Sequence, residues 1–277
     1  MLRSVTGDPQ PLSPGLAEFV CDLEASQLPS EVVDRLRLTV LDGIACMLAG
    51  TRDPLFGQIA GDLVASAQGS SIIVGTALTS SPAGAAFANG TLAHACDYDD
   101  SSWTMWGHPT APLLPAVLSA AQMTGLSGIK ALVAFVAGLE VEKALGILMQ
   151  PDHYRRGWHP TATLGVFGAT AGAAKALRLS AVELQAAFGI AASLPAGLRI
   201  NAGSSTKPLH CGFAARHGLE AALLAKHGVT ASPDALGWAN GFLGLYGGQT
   251  SPSVADALSR LGNPYEVIDP GLSPKLY

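Results

Sequence analysis

Charged side chains are scarce in this sequence, and the basic ones do not cluster. Asp, Glu, Lys and Arg make up 13% of the 277 residues, and the net charge is -5, whereas roughly 25% is usual in globular domains. No run of lysines and arginines could neutralise a row of phosphates, so we expect no nucleic-acid partner. The sparse surface charge also predicts that a second polypeptide covers part of the outer face.

Paired cysteines and long apolar runs are also missing. Cys21, Cys46, Cys96 and Cys211 are far apart and form no CxxC pair, which favours reduced thiols over a zinc knuckle or a disulfide framework. The N-terminus lacks the apolar core of a signal peptide, and charges such as Lys130 interrupt the apolar stretches. We therefore expect a soluble, cytoplasmic protein with no membrane partner.

Strand-like runs are rare, and residues 71–75 form the one convincing β-like segment. Apolar residues at three- and four-residue steps, with Ser127 and Ser180 as suitable N-caps, predict helices elsewhere. The predicted helices cover residues 14–25, 30–50, 55–67, 82–96, 111–124, 127–149, 161–177, 181–192, 208–227 and 253–261. The predicted fold class is all-α with at most short β segments, in a domain of residues 1–262 followed by an extended tail at 263–277.

Polar chemistry is concentrated in residues 89–109, which read NGTLAHACDYDDSSWTMWGHP. The run Asp-Tyr-Asp-Asp-Ser-Ser competes with a helical backbone and is predicted to end the preceding helix. Asp97, Asp99 and Asp100 would then lie on a loop held by a rigid helix, where functional sites usually occur. From the residues alone, however, capping and solvating a helix end is the more frequent role for such aspartates.

Three basic side chains each precede a proline that is predicted to start a helix: His108, His159 and Lys207. Proline suits the first helical turn, so each basic group would lie at the positive end of a helix, where anions are favoured. Such a set would suit a substrate with several carboxylates. Any single histidine before a proline is more often a hydrogen-bonded loop residue, and Lys207 could be an ordinary exposed lysine.

Seven segments together resemble the MmgE/PrpD family, which includes 2-methylcitrate dehydratase and cis-aconitate decarboxylase. They read VLDGIA at 40–45, NGTLAHACDYDD at 89–100, GHP at 107–109, GLEV at 138–141, GWHPTAT at 157–163, KPLH at 207–210 and KLY at 275–277. They follow the family order and span nearly the entire chain.

The resemblance implies a large, mostly helical domain with a polycarboxylate pocket, no metal, no organic cofactor, and usually a homodimer. The catalytic residues that it implies are His108, His159, Asp97 and Lys207. The substrate-binding residues are Ser101, Lys275 and His210. Ser101 stands where the decarboxylase branch has threonine, so the hydroxyl is kept, and the spacing from Asp97 to His108 is slightly longer than in that branch.

Chains of this family continue beyond the Lys-x-Tyr motif into a smaller α+β lid domain, and the sequence has no such segment after Tyr277. We therefore expect that a separately encoded C-terminal half completes the protein. The expected function is a cofactor-independent lyase, a dehydratase or decarboxylase, acting on a small di- or tricarboxylate. An inactive truncated scaffold and a dicarboxylate epimerase are open alternatives, since two bases flanking one carbon also suffice for proton exchange.

The expected mechanism assigns proton transfer to His108 and His159, because histidine titrates near working pH. Asp97 would orient a histidine and raise its pKa. The groups expected to hold carboxylates where negative charge builds up are Lys207, Lys275 and Ser101.

Overall fold

Apolar residues at helical spacing give α-helices through most of the chain in the computed structural model, which describes residues 11–59, 61, 68–237, 239–247 and 252–273. In chain order the helices are α1 (Leu12–Asp22), α2 (Ser30–Gly50), α3 (Pro54–Ile59), α4 (Pro82–Ala95), α5 (Thr110–Thr124), α6 (Gly128–Met149), α7 (Asp152–Arg155), α8 (Pro160–Thr163), α9 (Gly165–Leu177), α10 (Ala181–Ala191), α11 (Thr206–Lys226), α12 (Phe242–Tyr246) and α13 (Val254–Ser259). Among the described helices, none is long and apolar enough to cross a membrane.

Strands in the described residues are limited to two antiparallel pairs of two residues each. β1 (Ser71–Ile72) pairs with β2 (Thr79–Ser80), and β3 (Ser101–Ser102) pairs with β4 (Leu272–Ser273). The predicted all-α class with short β segments is confirmed. The β-like run predicted at 71–75 becomes a strand only at its first two residues.

The core lies between helices that are buried on most sides. Residues 85–94 of α4 are all buried, and α9 packs against α5, α6 and α11, while α11 also packs against α4. Small side chains make this approach possible. A Cβ atom on Gly90 of α4 would lie 2.9 Å from the carbonyl oxygen of Cys211 in α11, and one on Gly212 would lie 2.6 Å from the carbonyl oxygen of Phe87.

Most predicted helices are present within a few residues of their predicted bounds, whereas α7 and α12 were not predicted. Ser180 is the expected N-cap and forms a capping box with Glu183, whereas Ser127 occupies its N-cap position without a side-chain hydrogen bond. The helix predicted at 161–177 is divided at Leu164 into α8 and α9. His159 therefore precedes a single helical turn, so the helix dipole is weaker there than a long helix would provide. The second half of the helix predicted at 55–67 falls largely outside the described residues.

The chain end is anchored to α6 by a buried ion pair. Nζ of Lys143 donates to Glu140 at 2.9 Å and to the carbonyl oxygen of Pro264 at 2.6 Å. Glu140 accepts the backbone N–H of Glu266 at 2.7 Å. The extended conformation predicted for the tail is therefore wrong for residues 263–271, which form turns against the helices before β4 begins.

Replacing Gly90 with alanine should destabilise the protein, because the new methyl group would meet the α11 backbone. We expect Gly90→Ala to lower the free energy of unfolding by about 1–3 kcal/mol, the usual cost of overpacking. Gly128→Ala is the matched control, since nothing lies within 4 Å of a Cβ there; it should be neutral or slightly stabilising. Urea denaturation followed by circular dichroism measures both, and equal stability of the two variants would contradict the close approach of α4 and α11.

Candidate functional site

The ends of four helices meet at one place: the C-terminus of α4 and the N-termini of α5, α8 and α11. The polar loop, residues 96–109, connects α4 to α5 and is fixed from both sides. The backbone N–H of His108 donates to Thr161 Oγ1 at 3.0 Å. Thr110 donates its hydroxyl to Asp100 at 2.6 Å and its backbone N–H at 3.3 Å. The loop therefore rests on the rigid starts of two helices.

A first cavity of about 400 Å³ opens beside this loop. It brings together four of the residues selected from the sequence, which are Ser101, His108, His159 and Lys207. Asp97 lies next to them, since its carboxylate accepts a hydrogen bond from Lys207 Nζ at 2.6 Å. The two aromatic side chains of the cavity that are most open to solvent are Trp103 and Trp106.

Asp99 is the carboxylate that lies closest to the histidine rings. Its two oxygens lie 2.8 and 2.7 Å from Nδ1 of His94, and one oxygen lies 3.4 Å from Nδ1 of His108. Asp99 is only 1% exposed, so the expectation that it solvates a helix end is wrong. Burial opposes its ionisation, but the His94 and His108 rings bring the pKa of Asp99 below its ordinary value. Asp97 is 3.8 Å from Nε2 of His94.

His108 is held in one tautomer. Its Nδ1 lies 2.8 Å from the backbone carbonyl oxygen of Asp100, and a carbonyl can only accept, so Nδ1 carries the hydrogen. The lone pair of the neutral ring is then on Nε2. The Asp100 side chain is itself buried, and burial raises its pKa to about 7, against the hydrogen bonds from Thr110.

Within the described residues, one group has donor atoms close enough to share a metal ion: His94, Asp99 and His108, all within 4.8 Å of one another. The Nδ1 atoms of both rings already make hydrogen bonds, to Asp99 and to the Asp100 carbonyl oxygen. We interpret the group as a hydrogen-bonded cluster that orients His108.

His159 also lines the first cavity, and it comes from a part of the chain distant in sequence from the polar loop. Its Nδ1 lies 3.0 Å from Nδ1 of His210. Burial lowers the pKa of His159 well below its ordinary value, and the neighbouring His94, His210, His108 and Lys207 lower it further. His159 is therefore neutral near pH 7 in the cavity as it stands.

His210 lines a second cavity of about 380 Å³ rather than the first, and its Nδ1 contacts His159, which lines the first. Its predicted role as a substrate ligand stays a prediction. Burial is the main cause that lowers its pKa, with His94 and Lys207 adding to the effect.

Comparison with known protein families gives a match over most of the chain. Residues 15–255 match the model of the MmgE/PrpD N-terminal domain. The chain belongs to the MmgE/PrpD family. It is 32% identical over 267 residues to cis-aconitate decarboxylase of Homo sapiens, covering 94% of this chain and 53% of that protein. It is 34% identical over 223 residues to the cis-aconitate decarboxylase-like protein oryM of Aspergillus oryzae, covering 77% of this chain and 46% of that protein.

A third relative, cis-aconitate decarboxylase of Mus musculus, is 32% identical over 253 residues, covering 89% of this chain and 50% of that protein. The chain thus spans about half the length of the curated relatives it matches.

Sequence reasoning missed two residues of this MmgE/PrpD cavity. Arg199 and Tyr154 both line it, with the Arg199 guanidinium carbon 4.3 Å from the centre of the Tyr154 ring. Arg199 lies eight positions before Lys207, which the sequence analysis selected, so a second basic residue near Lys207 was the available signal. The pairing with Tyr154 joins residues 45 positions apart, and no local pattern indicates it.

Glu266 fixes the polar loop from the chain end. Its carboxylate accepts hydrogen bonds from the hydroxyls of Ser102 at 2.6 Å and Thr104 at 3.0 Å. Ser101 beside them donates its hydroxyl to the Ser273 carbonyl oxygen at 3.4 Å. Lys275, the remaining predicted substrate ligand, lies outside the described residues.

The stability of the protein should depend on pH through Glu266. Burial raises the pKa of Glu266 to about 7 in the fold, against an ordinary value of 4.5. Between these values the folded protein holds a proton that the unfolded chain has released, so the free energy of unfolding falls as pH rises. Glu266→Gln should reduce this fall by at most about 1.4 kcal/mol per pH unit.

Denaturant titrations from about pH 5 to about pH 7, the window set by this shift, measure the effect. Glu18→Gln, at an exposed carboxylate, is the matched control and should leave the slope unchanged. A native-like slope in Glu266→Gln would show that the Glu266 carboxyl is not held protonated in the fold.

Proposed function

We propose that this protein is a lyase that removes CO₂ or water from a small di- or tricarboxylate, using acid/base residues of the protein without a metal or organic cofactor. The observation that supports this most is one cavity lined by two histidines, His108 and His159, together with two basic side chains, Lys207 and Arg199. Because the relatives are named as cis-aconitate decarboxylases, cis-aconitate is the first substrate to test.

Charge and size favour a polycarboxylate in this cavity. Lys207 is oriented by Asp97 and Arg199 rests on Tyr154, so two cations are held in place before a ligand arrives, which reduces the entropy lost on binding. The volume of about 400 Å³ falls within the usual range of small-molecule sites. Ser101 lines the same cavity and stays a predicted carboxylate ligand, for which its hydroxyl would turn away from the Ser273 carbonyl oxygen. Lys275 also stays a predicted carboxylate ligand.

Proton transfer is assigned to the two histidines. In decarboxylation the bond to one carboxylate breaks, CO₂ leaves, and the electron pair left on carbon takes a proton. In dehydration one base removes a C–H proton and an acid protonates the departing hydroxyl. The lone pair on Nε2 of His108 suits a base. A bound polycarboxylate would raise the pKa of His159 by adding nearby negative charge, which makes that ring an acid when substrate is present.

A second polypeptide chain is proposed to cover the mouth of the cavity, as a copy of this chain or as a separately encoded C-terminal half. Trp103 is 69% exposed and Trp106 41% exposed at this mouth. Exposed aromatic side chains at a cavity rim are typical of a surface that binds another chain.

The test is a proton-exchange and product assay in heavy water with a panel of di- and tricarboxylates that includes cis-aconitate. The protein is purified from its native source with any polypeptide that co-elutes. Release of CO₂ or loss of water supports the lyase. Deuterium exchange with inversion and no net loss identifies the epimerase instead. A complete preparation that neither converts nor exchanges any of these compounds refutes both and leaves the inactive scaffold.

His159→Gln should abolish turnover with little change in the fold. Glutamine keeps a polar group but cannot accept and donate a proton near neutral pH, so kcat should fall by about 10²-fold or more. His227→Gln is the control, because His227 is exposed at the far end of α11. Steady-state kinetics and circular dichroism measure the two effects, and an undiminished rate in His159→Gln would remove that residue from the mechanism.

A further inference from the structure

The second cavity lies beside the ring of His210, which contacts the ring of His159. It is lined by His210, His217 and Asn201 among mostly apolar residues. His159 lines the first cavity only, and His210 lines the second only. The two cavities therefore communicate through the contact between these two rings.

Two ring nitrogens face each other across that contact. Nδ1 of His159 and Nδ1 of His210 are 3.0 Å apart, and the two residues are 8% and 7% exposed. A hydrogen bond between two nitrogens needs one hydrogen and one lone pair, so a neutral pair has a single protonated Nδ1. The two tautomers are therefore opposite. When His210 carries the hydrogen on Nδ1, His159 carries its own on Nε2.

The surroundings favour this neutral pair. Burial lowers the pKa of both rings, and His94 and Lys207 lower it further, so neither ring holds an extra proton near pH 7. Gly197 fixes the backbone at the contact, because its carbonyl oxygen accepts the His159 N–H at 3.1 Å. A Cβ on Gly197 would lie 3.5 Å from Nδ1 of His210, so the chain passes directly against the pair.

We propose that His159 and His210 form a proton relay whose entrance is the second cavity. A hydronium ion there protonates Nε2 of His210 and leaves as water. The hydrogen on Nδ1 of His210 moves to Nδ1 of His159. The Nε2–H of His159 then passes its proton to the substrate carbon that carries the electron pair. One proton enters, one is delivered, and no electrons are exchanged with either ring.

The relay rests on the proposed lyase reaction, and it supplies what that reaction needs. A substrate that fills the first cavity excludes water from the substrate side of His159, so a proton has to arrive from the opposite side. After product leaves, a hydronium ion in the first cavity protonates Nε2 of His159 and leaves as water. The shared hydrogen then returns to His210, whose Nε2 gives its proton to a water molecule in the second cavity, and the starting tautomers are restored.

His210→Asn separates a relay from a purely positioning role. Asparagine can still hydrogen-bond to Nδ1 of His159, so a positioning role predicts near-native turnover. A relay predicts a loss of kcat of at least about tenfold with KM unchanged, since asparagine cannot pass a proton on.

In His210→Ala, added imidazole should restore turnover in a saturable way by entering the space left by the ring, whereas His159→Gln should not respond.

His227→Asn is the control for histidine loss and should leave both kcat and the imidazole response native. Melting temperatures show whether each variant is folded. Native kcat in a folded His210→Asn overturns the relay.

A second measurement on the native protein keeps the relay testable without turnover. NMR of isotope-labelled histidine rings follows the hydrogen shared by the two Nδ1 atoms while tricarballylate, an unreactive tricarboxylate, fills the first cavity. Continued exchange of that hydrogen with heavy water supports an entrance through the second cavity, and full protection overturns it. If no carboxylate turns over, the lyase proposal fails by itself, and this exchange still decides whether the pair conducts protons.

Discussion

The buried carboxylate of Asp99 is the constraint on which the rest of the site depends. An ionised carboxylate that is 1% exposed would be strongly unfavourable without partners. Its partners are His94 at the end of α4 and His108 just before α5. The two helix ends must therefore converge, and of the three residues in this contact His108 lines the first cavity.

Three other carboxyl groups in the same region are buried, those of Asp100, Glu142 and Glu266. Asp100 and Glu266 both have a pKa raised to about 7 by burial. Burial also raises the pKa of Glu142 well above its ordinary value, and its carboxyl oxygens have no hydrogen-bond partner among the described residues. Gly168 leaves space for that carboxyl, since a Cβ there would clash with it. Burial thus makes these three acids keep a proton to higher pH than exposed carboxyl groups do.

Much of the fold was predictable because helical periodicity and caps are local. Neighbouring residues alone were enough to predict the N-cap at Ser180 and the end of α4 before Asp97. The gathering of His108, His159 and Lys207 was also anticipated, by the family resemblance and by the proline after each residue. The hydrogen bonds between Asp99 and His94 were not, because the sequence does not show which of the neighbouring aspartates is buried. The contact between His159 and His210 was not either, because these residues are 51 positions apart.

The pairing of β3 with β4 has a consequence for the order in which the site forms. Ser101 and Ser273 are 172 positions apart in the chain, and Ser102 and Glu266 are 164 apart. Contacts between such distant residues close a large loop and contribute to slow, late steps of folding. A chain emerging from the ribosome can pack α4 against α5 early, yet its polar loop gains these anchors only after residue 273 has been synthesised.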